Sequence, residues 1–187
     1  PNEGGMRLTY ATLGAYLKYP WLSKPIAGGV ASHKRAKFGC YHTEKHLLST
    51  LAQQLGLIQQ GDFHWCRHPL AYLLEAADDI CYTLIDLEDG LALGMLRYDE
   101  IEPLFLQLLG DLPPPPELKQ NVSAPQKIAA LRGKAIEKLV SAIATAFEQQ
   151  QEALLTGTLQ GSLLQYCHPT LANGIDLAKN LARERIF

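Results

Sequence analysis

Three side chains capable of polar chemistry recur at four-residue intervals in one segment of the sequence. Asp78, Tyr82 and Asp86 lie within residues 67–90, whose remaining side chains are largely apolar. Residues four apart lie near one another on a helix, about 6 Å apart along its axis. Two carboxylates and a phenol are costly to bury unless each has a partner. A metal ion and a polar ligand are the obvious partners.

The same segment predicts a helix from residue 67 to about residue 88 that is apolar on most sides. Such a helix is usually buried. The alternative is an exposed acidic face with helix caps and salt bridges. That alternative explains Glu88 and Asp89, which stand at the predicted helix end, better than it explains Asp78 and Asp86. Spacing alone leaves both interpretations open.

Basic residues supply a second set of candidates. Lys34, Arg35 and Lys37 form a basic loop, which is either a solvated loop or a phosphate clamp, because a lysine ammonium is a compact charge suited to polyphosphate. Arg132 lies in a predicted long helix, where a single arginine is usually exposed or salt-bridged. Gly133 beside it would permit close approach of another backbone or a ligand.

Composition limits the classes of function. The chain has 187 residues, enough for one domain, with 47% hydrophobic and 19% charged residues. The net charge of −2 gives no global attraction to nucleic acid. No run of about 18 apolar residues predicts a membrane span. The four cysteines form no CxxC pair, so we expect a reducing, cytoplasmic setting.

Apolar periodicity predicts helices along the whole sequence and gives little sign of β-strands. We therefore expect an all-α protein. The predicted helices are 8–19, 43–57, 67–88, 98–109, 124–152 and 171–186. Four consecutive prolines favour a polyproline linker, which divides the chain into a helical core at 1–112, a linker at 113–123 and a C-terminal helical part of the same domain at 124–187.

Four segments resemble one known family. The strings Glu75-Ala-Ala-Asp-Asp-Ile-Cys-Tyr82 and Asp86-Leu-Glu-Asp89 resemble the hallmark helix of the dGTP triphosphohydrolases, a branch of the HD superfamily of metal-dependent phosphohydrolases. Residues 8–21, residues 37–45 and the final Arg-Glu-Arg-Ile-Phe are similar to the same family in the same order. The resemblance covers essentially the whole chain. It implies the C-terminal part of an HD-type helical bundle.

The resemblance also implies roles for single residues. In that family a divalent metal ion (Mg²⁺, Mn²⁺ or similar) is held by a His, a His-Asp pair and a later Asp, to which Asp78 corresponds. Tyr82 would pack against the deoxyribose, and Asp86 would accept a hydrogen bond from its 3′-hydroxyl. Lys37 and Arg132 would hold the triphosphate. The implied reaction converts a dNTP, with dGTP expected, to the deoxynucleoside and tripolyphosphate.

One departure from the family limits these expectations. The chain contains no His-Asp dipeptide, and residues 1–66 do not supply the family's earlier metal ligands. We therefore expect a fragment of a hydrolase that is inactive by itself and in which no catalytic residue can be named. A non-catalytic nucleotide-binding or oligomerisation module is the alternative. The expected partners are a dNTP and further copies of the chain, without a membrane; regulation by single-stranded nucleic acid stays open.

Overall fold

Helices form nearly all of the regular structure. The computed structural model describes residues 7–23 and 37–187, so the basic residues Lys34 and Arg35 lie outside the described residues. The α-helices are α1 (Tyr10–Tyr16), α2 (Lys45–Leu55), α3 (Pro69–Ala92), α4 (Tyr98–Leu109), α5 (Ala124–Gln149), α6 (Gln151–Leu155) and α7 (Pro169–Arg185). Short 3₁₀ helices span His42–Glu44, Pro116–Lys119 and Leu163–Tyr166. The all-α prediction is confirmed.

Local sequence signals set several helix ends. The α4 helix spans the predicted residues, and Gly110 follows it with φ 55°. The α2 helix ends at Leu55 and is followed by Gly56, whose φ of 63° is a left-handed conformation that glycine adopts without steric cost. The Thr9 side chain accepts a hydrogen bond from the Thr12 backbone and begins α1. The predicted helix 124–152 is instead two helices, which meet at Gln150.

A small antiparallel hairpin was not predicted. It pairs β1 (Gln59–Gly61) with β2 (His64–Trp65). The chain reverses at Asp62 and Phe63, and Phe63 has a φ of 49°. Hairpin turns are usually recognised by Asn-Gly or Asp-Gly, and a phenylalanine with positive φ carries no such signal.

The chain forms two compact units. The first contains Pro1–Glu75 and Gln150–Gln160, and the second contains Ala76–Gln149 and Gly161–Phe187. The proline-rich segment 113–123 lies inside the second unit, where it connects α4 to α5. Pro115 has the φ of −62° and ψ of 145° expected of polyproline II.

Each unit has its own core. In the first unit, Leu48, Ala52 and Trp65 are buried, with Leu17 and Leu57 packed against them. In the second unit, α4 packs against α5 and α7. Buried side chains recur there every three or four residues, the spacing of one helix face. They are Ile101, Phe105 and Leu108 in α4, Ile128, Leu131, Ala135 and Leu139 in α5, and Ile175, Ala178 and Ala182 in α7.

The α3 helix is buried on one side only. Leu84 and Leu87 are 0% exposed, whereas Tyr82 is 66% and Ile85 is 39% exposed. Cys81 is exposed as well. The prediction of a helix buried on most sides is therefore wrong for this structure. Apolar residues occur all round the helix, so their pattern could not show which of them would be packed.

None of the helices in the described part of the chain is both long and apolar enough to cross a membrane.

Candidate functional site

The three α3 residues singled out by their spacing do not share one surface. Tyr82 and Asp86 line the same cleft, whereas Asp78 is exposed and does not line it. Each four-residue step rotates a side chain by about 40° around the helix, so Asp78 and Asp86 differ by about 80°. Residues seven apart are separated by nearly two whole turns, so their side chains differ in direction by only about 20°. Asp79 therefore lies on nearly the same side of the helix as Asp86. Asp79 does line the cleft.

The cleft lies between α3 and the end of the chain, within the second unit. Its volume is about 370 Å³, at the small end of the range for ligand pockets. Its lining residues are mostly polar or aromatic and combine acidic groups from α3 with basic groups from α7. They are Asp79, Tyr82, Thr83, Asp86, Lys179, Ala182, Arg183 and Phe187. The cleft therefore offers hydrogen-bond acceptors, a phenol ring and cations to one ligand.

The two cations of the cleft differ in their partners. Lys179 Nζ lies 3.1 Å from Asp79 Oδ2 and forms an ion pair with it. Among the described residues, no carboxylate forms an ion pair with Arg183, which is exposed. Thr83 Oγ1 donates to the Asp79 backbone carbonyl at 2.6 Å, so its hydroxyl does not compete with Lys179 for the Asp79 carboxylate. Arg183 is thus the more available cation for an anionic ligand.

Asp86 lies in surroundings that favour its protonated form. Burial raises the pKa of the Asp86 carboxyl, and the nearby Asp89 carboxylate raises it further. Both causes act on the charged form, since withdrawal from water and a like charge each destabilise a carboxylate. A hydrogen bond donated to Asp86 by a ligand hydroxyl would stabilise the carboxylate and offset part of this destabilisation.

Arg132 has a carboxylate partner in the structure. Its Nε lies 3.0 Å from Glu88 Oε2 on α3, although this nitrogen is buried and makes no hydrogen bond to a described residue. The contact is therefore an ion pair with poor hydrogen-bond geometry. The salt-bridged interpretation describes the observed contact, while the role of Arg132 in binding substrate stays a prediction. Apart from its chain neighbours and the backbone of its own helix, no described atom lies within 4 Å of a Cβ added at Gly133.

Lys37 lies beside an aromatic ring in the first unit. Its Nζ is 5.9 Å from the centre of the Tyr19 ring. The indole Nε1 of Trp21 donates to the Lys37 backbone carbonyl at 2.6 Å and fixes the main chain there. Lys18 and Arg67 lie over the same Tyr19 ring at 5.8 and 5.5 Å. We call Lys18, Lys37 and Arg67 the cation cluster.

Sequence reasoning found one member of this cluster and missed the other two. Lys18 and Arg67 contact the same carboxylate, that of Glu75. Lys18 lies in the family-like segment 8–21, and Glu75 belongs to the hallmark helix. A signal was therefore present, but nothing in the residue types showed that these segments meet at Tyr19.

The described residues do not by themselves fit a metal site. Asp78 supplies one exposed carboxylate, and a divalent ion requires several ligands. Among the described residues, no three His, Cys, Asp or Glu side chains come together in a group that could hold an ion. The described residues therefore do not complete a metal site around Asp78, and its role as a ligand stays a prediction.

Comparison with known proteins decides the family. No family profile matches the chain. A deoxyguanosinetriphosphate triphosphohydrolase-like protein of Pseudomonas aeruginosa is 51% identical over 187 residues, covering 99% of this chain and 42% of the relative. A protein of the same description from Synechocystis is 38% identical over 88% of the chain and 38% of the relative. The deoxyguanosinetriphosphate triphosphohydrolase of Serratia proteamaculans is 30% identical over 97% of the chain and 38% of the relative.

The chain belongs to the deoxyguanosinetriphosphate triphosphohydrolase-like family. The resemblance drawn from the sequence strings is confirmed. The chain spans about two fifths of the length of these relatives. The family assignment therefore rests on this shared region.

Proposed function

We propose that a full-length protein containing this chain is a metal-dependent dNTP triphosphohydrolase that converts dGTP to deoxyguanosine and tripolyphosphate. The observation that carries the proposal is the cleft shared by Tyr82 and Asp86, in a chain of the triphosphohydrolase-like family. The cleft combines an aromatic face, a hydrogen-bond acceptor and a cation. These are the groups that a sugar and its attached phosphates require.

Tyr82 and Asp86 receive the deoxyribose in this proposal. The exposed Tyr82 ring offers an apolar face to the sugar carbons. The Asp86 carboxylate, one helical turn further along, accepts a hydrogen bond from the 3′-hydroxyl. A hydrogen bond to a carboxylate is stronger than one between neutral groups, and the partial burial of Asp86 strengthens it further.

Basic side chains bind the triphosphate in this proposal. Lys37 acts as part of the cation cluster, and Arg183 is the available cation of the cleft. Negative charge increases on the tripolyphosphate as it leaves, and fixed positive charges stabilise that change. Arg132 is the weaker candidate because its guanidinium is already paired with Glu88.

A divalent ion such as Mg²⁺ or Mn²⁺ is the proposed cofactor, with Asp78 as one of its ligands. The described residues do not complete its site, so we assign it no step. This sequence contains no His-Asp dipeptide, so it does not supply the His-Asp pair that the family uses. The chain by itself is therefore proposed to be inactive.

A second candidate is nucleotide binding or oligomerisation without turnover. Tyr10, Leu13 and Tyr16 on α1 and Leu47 on α2 are exposed, and they line an apolar cleft of about 390 Å³. Exposed apolar patches often mark interaction surfaces. Further copies of the chain are the proposed partners of this surface.

Replacement of one carboxylate tests the proposed hydrolase. In the full-length protein, Asp78→Ala is expected to lower the rate of dGTP hydrolysis by at least about 100-fold, because a metal ligand matters more than the outer contacts that support it. The helical fold should persist, since Asp78 is exposed. Release of deoxyguanosine and tripolyphosphate is measured by chromatography, with far-ultraviolet circular dichroism as the check on folding.

Asp176→Ala is the matched control, because Asp176 is an exposed carboxylate of α7 outside the cleft. It should leave the rate unchanged. Unchanged hydrolysis in Asp78→Ala would refute the role of Asp78. Binding of dGTP by the unaltered protein without release of either product would favour the second candidate.

A further inference from the structure

One carboxylate of the first unit contacts two members of the cation cluster. Glu75 Oε1 lies 2.7 Å from Lys18 Nζ. Arg67 Nη1 donates to Glu75 Oε2 at 2.8 Å. The Glu75 side chain is only 13% exposed, so both contacts are partly dehydrated. Charge-assisted contacts in such places are stronger than those at an open surface.

Because Glu75 contacts both Lys18 and Arg67, it couples the positions of these two long side chains. Arg67 lies over the rings of both Tyr19 and Tyr72, at 5.5 and 5.3 Å. Lys18 is held to the other oxygen of the same carboxylate and lies over Tyr19. Because a single planar group binds both cations, neither can move far without losing its contact with Glu75.

The cluster retains the charge needed to bind an anion. Three cations lie over the Tyr19 ring, and Glu75 bridges two of them. Several cations held close together complement a ligand that carries several negative charges along a short chain. A polyphosphate has that chemistry.

We propose that Glu75 is a positioning residue, which holds Lys18 and Arg67 in the arrangement that binds a polyphosphate. The inference rests on the proposed function only in taking the cation cluster as the place of the phosphates. Glu75 acts through its two cations and does not touch the ligand. Ordering long side chains before binding removes an entropy cost that would otherwise weaken affinity.

Positioning and simple electrostatics predict opposite effects when the Glu75 charge is removed. A carboxylate next to the cations reduces their attraction for an anion, so removing its charge would by itself strengthen anion binding. If Glu75 orders the cations, the same change weakens anion binding. The sign of the change in affinity therefore separates the two mechanisms.

Glu75→Gln tests this sign, because it removes the charge and keeps the size of the side chain. The 187-residue chain and its variant are titrated with inorganic tripolyphosphate by calorimetry at low salt. We expect the Kd to increase about fivefold to tenfold in Glu75→Gln, the effect of freeing one or two long side chains. Glu100→Gln removes a glutamate from another ion pair, with Arg185, and should leave the Kd within about twofold.

A double variant shows whether Glu75 acts through its partner. In a Lys18→Ala background, Glu75→Gln should change the Kd by a smaller factor, because one of the two contacts that it breaks is already lost. An equal effect in both backgrounds would mean that Glu75 acts through the general fold, and would overturn the inference. If circular dichroism shows that Glu75→Gln is unfolded, Glu75→Asp replaces it. The shorter Asp side chain cannot keep both contacts, so its Kd should also rise.

The outcomes separate this inference from the proposed function. An unchanged or lower Kd in Glu75→Gln overturns the inference, as does failure of the unaltered chain to bind tripolyphosphate. If binding of tripolyphosphate depends on Glu75 but the full-length protein does not hydrolyse dGTP, the inference is supported and the proposed function is refuted. Hydrolysis of dGTP without Glu75-dependent binding of tripolyphosphate leaves the proposed function and overturns the inference.

Discussion

A carboxylate that is partly withdrawn from water beside a second carboxylate destabilises the folded state at neutral pH. Asp86 is in this position, and both burial and Asp89 raise the pKa of its carboxyl. When the folded pKa lies above the unfolded one, the folded state binds more protons between the two values. Stability therefore falls as pH rises through that interval. Carboxylates that destabilise the folded state in this way are often found where the group is needed for binding.

Asp86→Asn is accordingly expected to stabilise the chain at neutral pH, by less than about 1 kcal/mol because Asp86 is partly solvated. The gain should vanish below about pH 4, where the unfolded Asp is protonated as well. Thermal melts of the two proteins between pH 3 and pH 7 measure this difference. Asp176→Asn, at an exposed carboxylate, is the control. Destabilisation by Asp86→Asn at pH 7 would show that the Asp86 carboxylate makes a favourable contact in the folded state and would contradict the prediction.

For single residues, the sequence predicted the α3 side of the cleft but not the α7 side. Four-residue spacing placed Tyr82 and Asp86 together because both belong to one helix. Lys179 and Arg183 come from a helix about a hundred residues later, and no spacing rule relates two separate helices. The same rule placed Asp78 with Asp86, because it takes no account of the rotation that accumulates over eight residues.

The close approach of α4 and α7 depends on a glycine in α7, because glycine has no side chain. Gly174 lies in the interior of that helix, where glycine costs about 1 kcal/mol relative to alanine. A Cβ added there would be 2.6 Å from Leu108 Cδ2 on α4. Leu108 is 0% exposed, so it has little room to move. The glycine is therefore explained by packing between α4 and α7.

Two glycine substitutions test this explanation. Gly174→Ala is expected to lower the free energy of unfolding by about 1–3 kcal/mol through overpacking. Gly133→Ala in α5 should raise it by up to about 1 kcal/mol, because its added Cβ meets no described atom within 4 Å beyond its chain neighbours and the backbone of its own helix. Urea denaturation followed by circular dichroism measures both. Equal stabilisation by the two substitutions would disprove the close approach at Gly174.

Helix positions were more predictable than helix surroundings. Local signals such as the glycines after α2 and α4 lie next to the residues that they end, so they could be read from the sequence. The exposed side of α3 depends on which other elements pack against it. The β1–β2 hairpin depends on an unusual conformation of Phe63. Neither property is local in the sequence.

The molecule as a whole carries proposed binding groups in both of its compact units. The cation cluster belongs to the first unit, and the cleft belongs to the second. Relatives with the triphosphohydrolase description are more than twice as long as the shared region. The proposed activity is accordingly assigned to a protein of that full length, while binding of phosphate and nucleoside can be measured on this chain.

Binding of a metal ion by the chain alone gives the last prediction. Asp78 is one exposed carboxylate, and a single carboxylate binds Mn²⁺ far more weakly than a set of several ligands. We therefore expect the 187-residue chain to bind Mn²⁺ with a Kd of about 1 mM or higher, the affinity of a few kcal/mol that one ligand provides. Calorimetric titration with Mn²⁺ measures it, and Asp78→Ala should give nearly the same heat. Stoichiometric binding with a micromolar Kd would contradict the assignment of Asp78 as an isolated ligand, and loss of that binding in Asp78→Ala would place the remaining ligands within this chain.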